Sequence, residues 1–341
     1  MRPVDRRSPT AWRQITFAIG ALALVFVVLA PLTSMDAAQQ AGVPLLTDKL
    51  WFRIATTVAM FVVMASGWNI IGGLTGYASF GNVAFFGLGA YTVGVLVANR
   101  NWPFVLALLV APVVAAVFAL LVGIPLLRLR GHYFAVATLG VGVAVGEVVN
   151  NLEPLGASTG LTLPIVRSDL LFFYLMLGAA ALAVLATWII LRTRFGYGLL
   201  AIRENEEAAA VIGVNTTFYK VAAFCIAAAL TGLAGGIFAQ WNSFINQENV
   251  FAISDNVQMI LMAVVGGAGT VLGPVAGAIA LELIIQTLAG GGTSAVYSQI
   301  GLGVLLAACV IFIPRGVIDF FGGRSRLSLR YFRQTLRETS A

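Results

Sequence analysis

The stretch LALLVAPVVAAVFALL, residues 106–121, contains no charged side chain and no alternation of apolar and polar residues. A membrane-spanning β-strand would alternate over about ten positions, whereas a spanning helix needs about 20 mostly apolar residues. A helix also satisfies its own backbone hydrogen bonds, which a lipid environment requires. The stretch and its apolar flanks therefore predict a transmembrane helix.

The whole chain has the composition of a membrane protein. Of its 341 residues, 60% are hydrophobic and only 10% are charged, against about 25% charged residues in soluble domains. The sequence predicts an all-α integral membrane protein of about eight to ten transmembrane helices. The expected spans are 15–33, 54–72, 78–97, 103–125, 132–150, 170–191, 218–240 and 298–314, with a glycine-broken hairpin near 256–289.

The N-terminus resembles a signal peptide, because Arg2, Arg6, Arg7 and Arg13 precede an apolar run. That run is longer than the usual apolar region of a signal peptide, about 7–15 residues, and no clear cleavage site follows it directly. The pattern favours a first span that is not cleaved.

The basic residues orient the spans. With a cytoplasmic N-terminus, only Lys49, Arg53, Arg100 and Arg167 lie outside, and the other basic residues lie inside, as the positive-inside rule expects. Both termini are then cytoplasmic. The predicted organisation is a basic cytoplasmic N-terminus over 1–14, a transmembrane domain over 15–320 with a cytoplasmic loop over 192–217, and a basic cytoplasmic tail over 321–341.

The segment 256–289 is apolar but interrupted by glycines. The loop 192–217 and the C-terminal tail are both basic, so an even number of crossings separates them. Since the spans 218–240 and 298–314 supply two crossings, the segment must cross the membrane twice or not at all. Its glycines predict the turn and close packing of a hairpin, either spanning or re-entrant. The structural glycines are Gly266, Gly267, Gly269 and Gly273.

The chain lacks the groups that most catalytic sites need. Neither lysine, Lys49 or Lys220, follows a glycine-rich loop, so the sequence contains no P-loop for ATP. His132 is the sole histidine and the two cysteines lie in apolar runs, so no metal site is expected. The net charge of +6 arises from basic residues at helix ends, with no basic stripe for nucleic acid. The sequence predicts a transport protein rather than an enzyme.

Two carboxylates fall within predicted spans, Glu147 and Glu282. Ionisable groups at membrane depth are typical of ion-coupled transporters. An ion-coupled secondary transporter that uses one of them is therefore an alternative of a different class, beside the interpretation that each carboxylate only forms hydrogen bonds within the bundle.

The stretch RENEEAAAVIG, residues 203–213, predicts a short cytoplasmic helix that Gly213 ends. A helix of this length is not stable alone, so it needs a surface on which to dock.

Several motifs resemble the LivM-type permease subunits of branched-chain amino-acid ABC transporters. Glu207-Ala208-Ala209 followed by Gly213 matches the E-A-A-x-x-x-G loop of ABC importer permeases. The other matching stretches are 76–82 (GYASFGN), 85–92 (FFGLGAYT), 128–135 (RLRGHYFA), 138–139 (TL), 201–206 (AIRENE), 232–236 (GLAGG), 266–270 (GGAGT), 273–274 (GP) and 314–316 (PRG). The resemblance covers residues 54–320.

The resemblance implies a bacterial inner-membrane importer that works by alternating access. A periplasmic substrate-binding protein delivers the solute, a second related permease forms the pathway with this chain, and two cytoplasmic ATP-binding subunits bind ATP and magnesium, so this chain needs no cofactor. The implied coupling residues are Arg203, Glu204, Glu206, Glu207, Ala208, Ala209 and Gly213.

The implied substrate is a branched-chain or similar neutral amino acid, with urea or a short amide as the alternative. The sequence departs from the family pattern at Gly81-Asn82 and at 156–160 (GASTG). Polar and small residues within the predicted bundle are candidates for the pathway wall, and several recur every four residues on one helix face. These candidates are Tyr77, Ser79, Asn82, Thr138, Gly142, Glu147 and Asn150.

Overall fold

The computed structural model describes residues 49–166 and 168–290, and the side chains within 52–166 and 168–286. The predicted spans 15–33 and 298–314 and both basic termini lie outside the described residues. The chain divides into two compact units, 1–55 and 56–341, and the packing given below lies within the second unit.

The described residues are almost entirely helical. The helices are α1 (Lys49–Trp68), α2 (Asn82–Gly94), α3 (Phe104–Leu126), α4 (His132–Asn151), α5 (Asp169–Arg192), α6 (Arg194–Glu204), α7 (Glu206–Val211), α8 (Thr216–Asn242), α9 (Gln247–Val250), α10 (Ile253–Gly267) and α11 (Gly273–Gly290). Short π-helical turns, Asn69–Gly73 and Val95–Asn99, extend α1 and α2, and 3₁₀ turns occupy Glu153–Leu155 and Ala157–Thr159. Strands β1 (Leu161–Thr162) and β2 (Phe244–Ile245) pair antiparallel.

Seven helical segments in the described part of the chain are long and apolar enough to cross a membrane, and Gly273–Gln286 is a shorter apolar helix. This confirms the predicted all-α membrane class.

The connections gather at two ends of the bundle. The end formed by 74–81, 127–131, 193–215 and 268–272 is called the basic end, and the end formed by 100–103, 152–166 and 243–246 is called the ribbon end, because β1 and β2 pair there.

Helix α8 packs along both α2 and α3 through small residues. A Cβ on Gly89 of α2 would collide with the backbone of Gly232 in α8. On α3, the buried stripe repeats every four residues, while most of its leucine and valine side chains are exposed, as expected for a face in lipid. The buried stripe consists of Ala107, Ala111, Ala115, Ala119 and Gly123.

The predicted span 78–97 is wrong at its start, because α2 begins only at Asn82 and residues 76–81 are not helical. Polar side chains of other helices satisfy this irregular backbone. Thr138 of α4 accepts a hydrogen bond from the Phe80 amide at 3.0 Å, and Asn256 of α10 accepts one from the Val83 amide at 3.3 Å. Buried backbone groups that have no partner within a helix need hydrogen bonds of this kind.

The single short helix predicted over 203–213 is instead two helices. Arg203 and Glu204 end α6, and Asn205 breaks the helix and caps α7 by accepting a hydrogen bond from the Ala208 amide at 3.0 Å. An asparagine side chain competes for backbone hydrogen bonds, so it favours a cap over a helix interior.

The glycine-broken segment forms a hairpin of α10 and α11, as the sequence predicts. Gly267 (φ 123°) and Gly269 (φ 83°) adopt left-handed backbone conformations in the turn, where a Cβ would be strained. Gly266 and Gly273 lie in the close contact between the two helices, and a Cβ on Gly266 would collide with the Gly273 carbonyl.

We expect Gly89→Ala to destabilise the purified subunit by about 1–3 kcal/mol, because the added methyl overpacks the contact with Gly232. Gly140→Ala in α4 is the matched control, since a Cβ there meets nothing within 4 Å. The measurement is the thermal midpoint for loss of the monodisperse species in detergent. Equal midpoints for the two variants would contradict the packing argument.

Candidate functional site

The tip of α7, which is its last residue Val211 together with Ile212 directly after it, projects two apolar side chains from the basic end. Val211 is 87% exposed and Ile212 is 76% exposed, whereas Ala209 on the opposite side is buried. Gly213 then reverses the chain with φ 91°. Exposed apolar residues outside the membrane-spanning part of a bundle are candidates for contact with another protein.

Glu206, the first residue of α7, points into the bundle. Its carboxylate accepts a hydrogen bond from the Lys220 ammonium of α8 at 2.6 Å and another from the Tyr77 hydroxyl. Lys220 is only 4% exposed. Its ammonium also donates to the Tyr77 oxygen at 3.1 Å and to the Leu127 carbonyl at 3.0 Å. Glu206, Lys220 and Tyr77 are called the buried triad below.

The charges of the buried triad are complementary. Burial alone would raise the pKa of Glu206, but the hydrogen bonds from Lys220 and Tyr77 outweigh it and hold that pKa below its usual value. Burial and the neighbouring carboxylate raise the pKa of Tyr77. At neutral pH the carboxylate is therefore ionised, and the tyrosine keeps the proton that it donates.

A second ion pair lies in solvent. Arg130 donates to Glu207 at 2.8 Å, and the two side chains are 63% and 77% exposed. The Glu207 carboxylate raises the pKa of Arg130. Water screens such a pair, so it contributes little to stability.

Arg203 connects α6 to two other elements of the basic end. Its Nη1 donates to the Gly73 carbonyl at 2.9 Å, and its side chain lies against Gly76 and Gly269. Asn69 joins the same two elements, since it donates to the Thr270 carbonyl at 2.9 Å and accepts from the Gly269 amide at 2.7 Å. The π-helical turn after α1, the α10–α11 turn and α6 thus meet at one place.

A cavity of about 590 Å³ opens beside these contacts. It brings together three predicted site residues, Tyr77, Glu206 and Glu207, with Arg130 and His132, which the site prediction did not include. The RLRGHYFA motif was the signal that could have pointed to them. The lining residues are Gly76, Tyr77, Ala78, Phe80, Arg130, Gly131, His132, Ala135, Asn205, Glu206 and Glu207.

The other predicted pathway residues do not form one surface with Tyr77. Ser79, Asn82, Thr138 and Gly142 are buried between helices, and the Asn82 amide has no hydrogen-bond partner among the described residues. Tyr77 and Ser79 precede α2 rather than beginning it.

Two further predicted residues lie elsewhere in the bundle. Glu147 is exposed and accepts a hydrogen bond from Gln247 at 3.2 Å near the ribbon end, where Asn150 is half-buried. Glu282 is buried in α11 and accepts hydrogen bonds from Gln258 at 3.0 Å and Gln286 at 2.8 Å.

The described fold is that of a multi-span α-helical membrane protein with a two-helix element packed on its basic end. Residues 50–310 match the family described as branched-chain amino acid transport system / permease component, and the chain belongs to that family. This confirms the resemblance that the sequence motifs indicate.

The chain is similar to several permease proteins of known systems. It is 29% identical over 309 residues to the high-affinity branched-chain amino acid transport system permease protein LivM of Salmonella typhimurium, which covers 81% of this chain and 71% of that protein. LivM of Escherichia coli matches equally. LivH of Salmonella typhimurium is 21% identical over 295 residues, 78% of this chain and 94% of that protein. No solved structure matches the chain.

We expect Lys220→Met to destabilise the subunit by about 2–4 kcal/mol at neutral pH, since it leaves the Glu206 carboxylate half-buried without its cation. Arg130→Gln, which breaks the exposed pair, is the control and should change little. The measurement is again the thermal midpoint in detergent.

The pH dependence follows from the lowered pKa of Glu206. A carboxylate with a lowered pKa stabilises the fold above its unfolded pKa, and this contribution is lost as the pH falls through the folded value. The difference between wild type and Lys220→Met should therefore stay constant near neutral pH and shrink as the pH falls below about 4.3, the usual pKa of a glutamate. A difference independent of pH would contradict the assignment of the charge to Glu206.

Proposed function

We propose that the chain is the transmembrane permease subunit of a binding-protein-dependent ABC importer, which moves branched-chain or similar neutral amino acids by alternating access. Membership of the permease family over 50–310 supports the transport role. The observation that carries the coupling part of the proposal is the projecting apolar tip of α7, Val211 and Ile212.

In this proposal the basic end faces the cytoplasm. The connections and helix ends there carry most of the basic residues that the structure describes, whereas Arg100 lies at the ribbon end. This distribution agrees with the positive-inside rule. The basic residues at the basic end are Arg128, Arg130, Arg192, Arg194, Arg203 and Lys220. Both chain termini are then cytoplasmic, as the charge pattern of the whole sequence predicts.

The partner on the tip of α7 is a cytoplasmic ATP-binding subunit, which binds ATP and magnesium. A complex with two permeases needs two such subunits, and the second permease is a related chain. The similarity of this chain to both LivM and LivH of one organism supports a paired arrangement. A periplasmic binding protein supplies the solute at the ribbon end.

The cavity at the basic end is the inner part of the solute pathway in this proposal. Its volume of about 590 Å³ exceeds that of a neutral amino acid, and its wall offers Tyr77 and both members of the Arg130–Glu207 pair. A wall with charges of both signs suits a zwitterion that must be released rather than held.

The docking proposal predicts that Val211→Asp with Ile212→Asp abolishes ATP-driven uptake by reconstituted vesicles, because a charged tip cannot enter an apolar cleft. The ATP-binding subunits should no longer co-purify, while the variant still inserts. Ile165→Asp is the matched control, an exposed apolar residue at the ribbon end, and should leave co-purification unchanged. Uptake that persists without ATP and follows the proton gradient would support an ion-coupled transporter instead.

The substrate proposal is tested by competition. Unlabelled leucine, isoleucine or valine in about 100-fold excess should reduce uptake of labelled leucine by vesicles with the native binding protein by at least about 90%, a simple consequence of site occupancy. Urea and acetamide at the same excess should not compete. If urea and acetamide competed and the amino acids did not, the substrate would be assigned to the urea or amide class instead.

A further inference from the structure

We propose that Arg203 and Glu206 are internal positioning residues that clamp the 74–81 segment to α6 and α7, so that a displacement of α7 moves the buried start of α2. The inference rests on the proposed function, since it concerns how motion from the ATP-binding subunits enters the bundle. It gives these two residues a role different from direct docking.

The clamp has two contacts, one on each side of the Asn205 break. Arg203 at the end of α6 donates to the Gly73 carbonyl at 2.9 Å. Glu206 at the start of α7 accepts from the Tyr77 hydroxyl. The two contacts hold both ends of the stretch 73–77, which leads from the π-helical turn into the irregular segment. The segment therefore cannot shift independently of α6 and α7 unless one of these contacts breaks.

The Glu206 contact is reinforced by charge and by burial. The Lys220 ammonium bonds to Glu206 and Tyr77 together and is closed off from water. Hydrogen bonds that involve ionised groups are shorter and stronger than neutral ones, and a buried cation has no water to replace a lost partner. The exposed Arg130–Glu207 pair lacks this property, because water can replace either partner.

The clamped segment leads directly into the interior of the bundle. Its last residues, Phe80 and Gly81, contact Thr138 of α4, and Asn256 of α10 bonds to the backbone on both sides of the α2 start. Movement of the segment is therefore passed to three helices at once.

The start of α2 also carries an unsatisfied group. The side chain of Asn82 is fully buried, and neither its oxygen nor its nitrogen has a partner among the described residues. A buried polar group without a hydrogen bond costs free energy. A second arrangement of the α2 start would supply the Asn82 side chain with a hydrogen-bond partner. That hydrogen bond would offset part of the free energy needed to leave the present arrangement. Such a balance suits an element that alternates between two states.

The first test measures coupling in the complete complex, with its ATP-binding subunits and binding protein, in liposomes. In Glu206→Gln the ATP-binding subunits should still co-purify and hydrolyse ATP, because the tip of α7 is intact, but solute transported per ATP should fall at least tenfold. Arg194→Gln removes an exposed charge from the neighbouring helix α6 and should keep the wild-type ratio. The proposal would be overturned if Glu206→Gln transported as much solute per ATP as wild type. If the role of Glu206 were purely structural, the yield of purified complex would fall and the solute transported per ATP would not change.

The second test replaces a clamp contact by a covalent bond. A Cβ on Gly76 would lie 3.9 Å from the Arg203 Cβ, within the range that a disulfide spans. The double variant Gly76→Cys with Arg203→Cys is made in a chain with Cys225→Ala and Cys309→Ala. Because Gly76 has φ 77°, the single Gly76→Cys variant controls for backbone strain.

The reduced double variant lacks the Arg203 contact and should transport less solute per ATP than wild type, whereas oxidation should restore the ratio severalfold. An oxidised form that transports no better than the reduced form would overturn the proposal, since the contacts would then have to open in each cycle. If the double variant does not fold, the solute transported per ATP in Glu206→Gln alone decides whether the proposal stands. If the wild-type complex shows no ATP-driven uptake, the proposed function itself fails, which is a different result.

Discussion

The hydrogen-bonded charge of Lys220 is the constraint on which the arrangement of the basic end depends. An ammonium at the start of a helix that is otherwise packed in apolar surroundings must find acceptors, because burial without them is prohibitively costly. Glu206, Tyr77 and the Leu127 carbonyl provide those acceptors from three separate parts of the chain. A single side chain thereby determines where α7, the 74–81 segment and the end of α3 lie relative to α8.

Close approach of helix backbones supports this arrangement from within the bundle. Glycine and alanine make the closest contacts of α8 with α2 and α3, and aromatic pairs such as Phe85–Phe224 and Phe86–Phe238 pack beside them. In lipid, where no difference in hydrophobicity drives helices together, such packing and interhelical hydrogen bonds hold a bundle. The outward leucines and valines of α3 then face lipid, which explains why the most hydrophobic helix is among the least buried.

The existence of the helices was predictable because each is a long apolar run, and the hairpin was predictable from its glycines and from the parity of the crossings. The two local errors have different causes. The start of α2 at Asn82 depends on hydrogen bonds that the Phe80 and Val83 amides donate to Thr138 and Asn256, which are distant in the sequence. The break at Asn205 was readable locally, since asparagine is a strong helix cap, but the surrounding alanines and glutamates favour a continuous helix.

The sequence by itself determined the membrane class, the asymmetry of charge between the two ends and membership of the permease family, because each depends on composition or on contiguous motifs. Only the tertiary structure decided that Arg203 and Glu206 point inward, that Val211 and Ile212 point outward, and that Tyr77 belongs with α7 rather than with the other polar candidates. The physical reason is that the sequence carries no periodic pattern for either property. The direction of a side chain at a helix break is one such property, and a hydrogen bond between residues more than a hundred positions apart is the other.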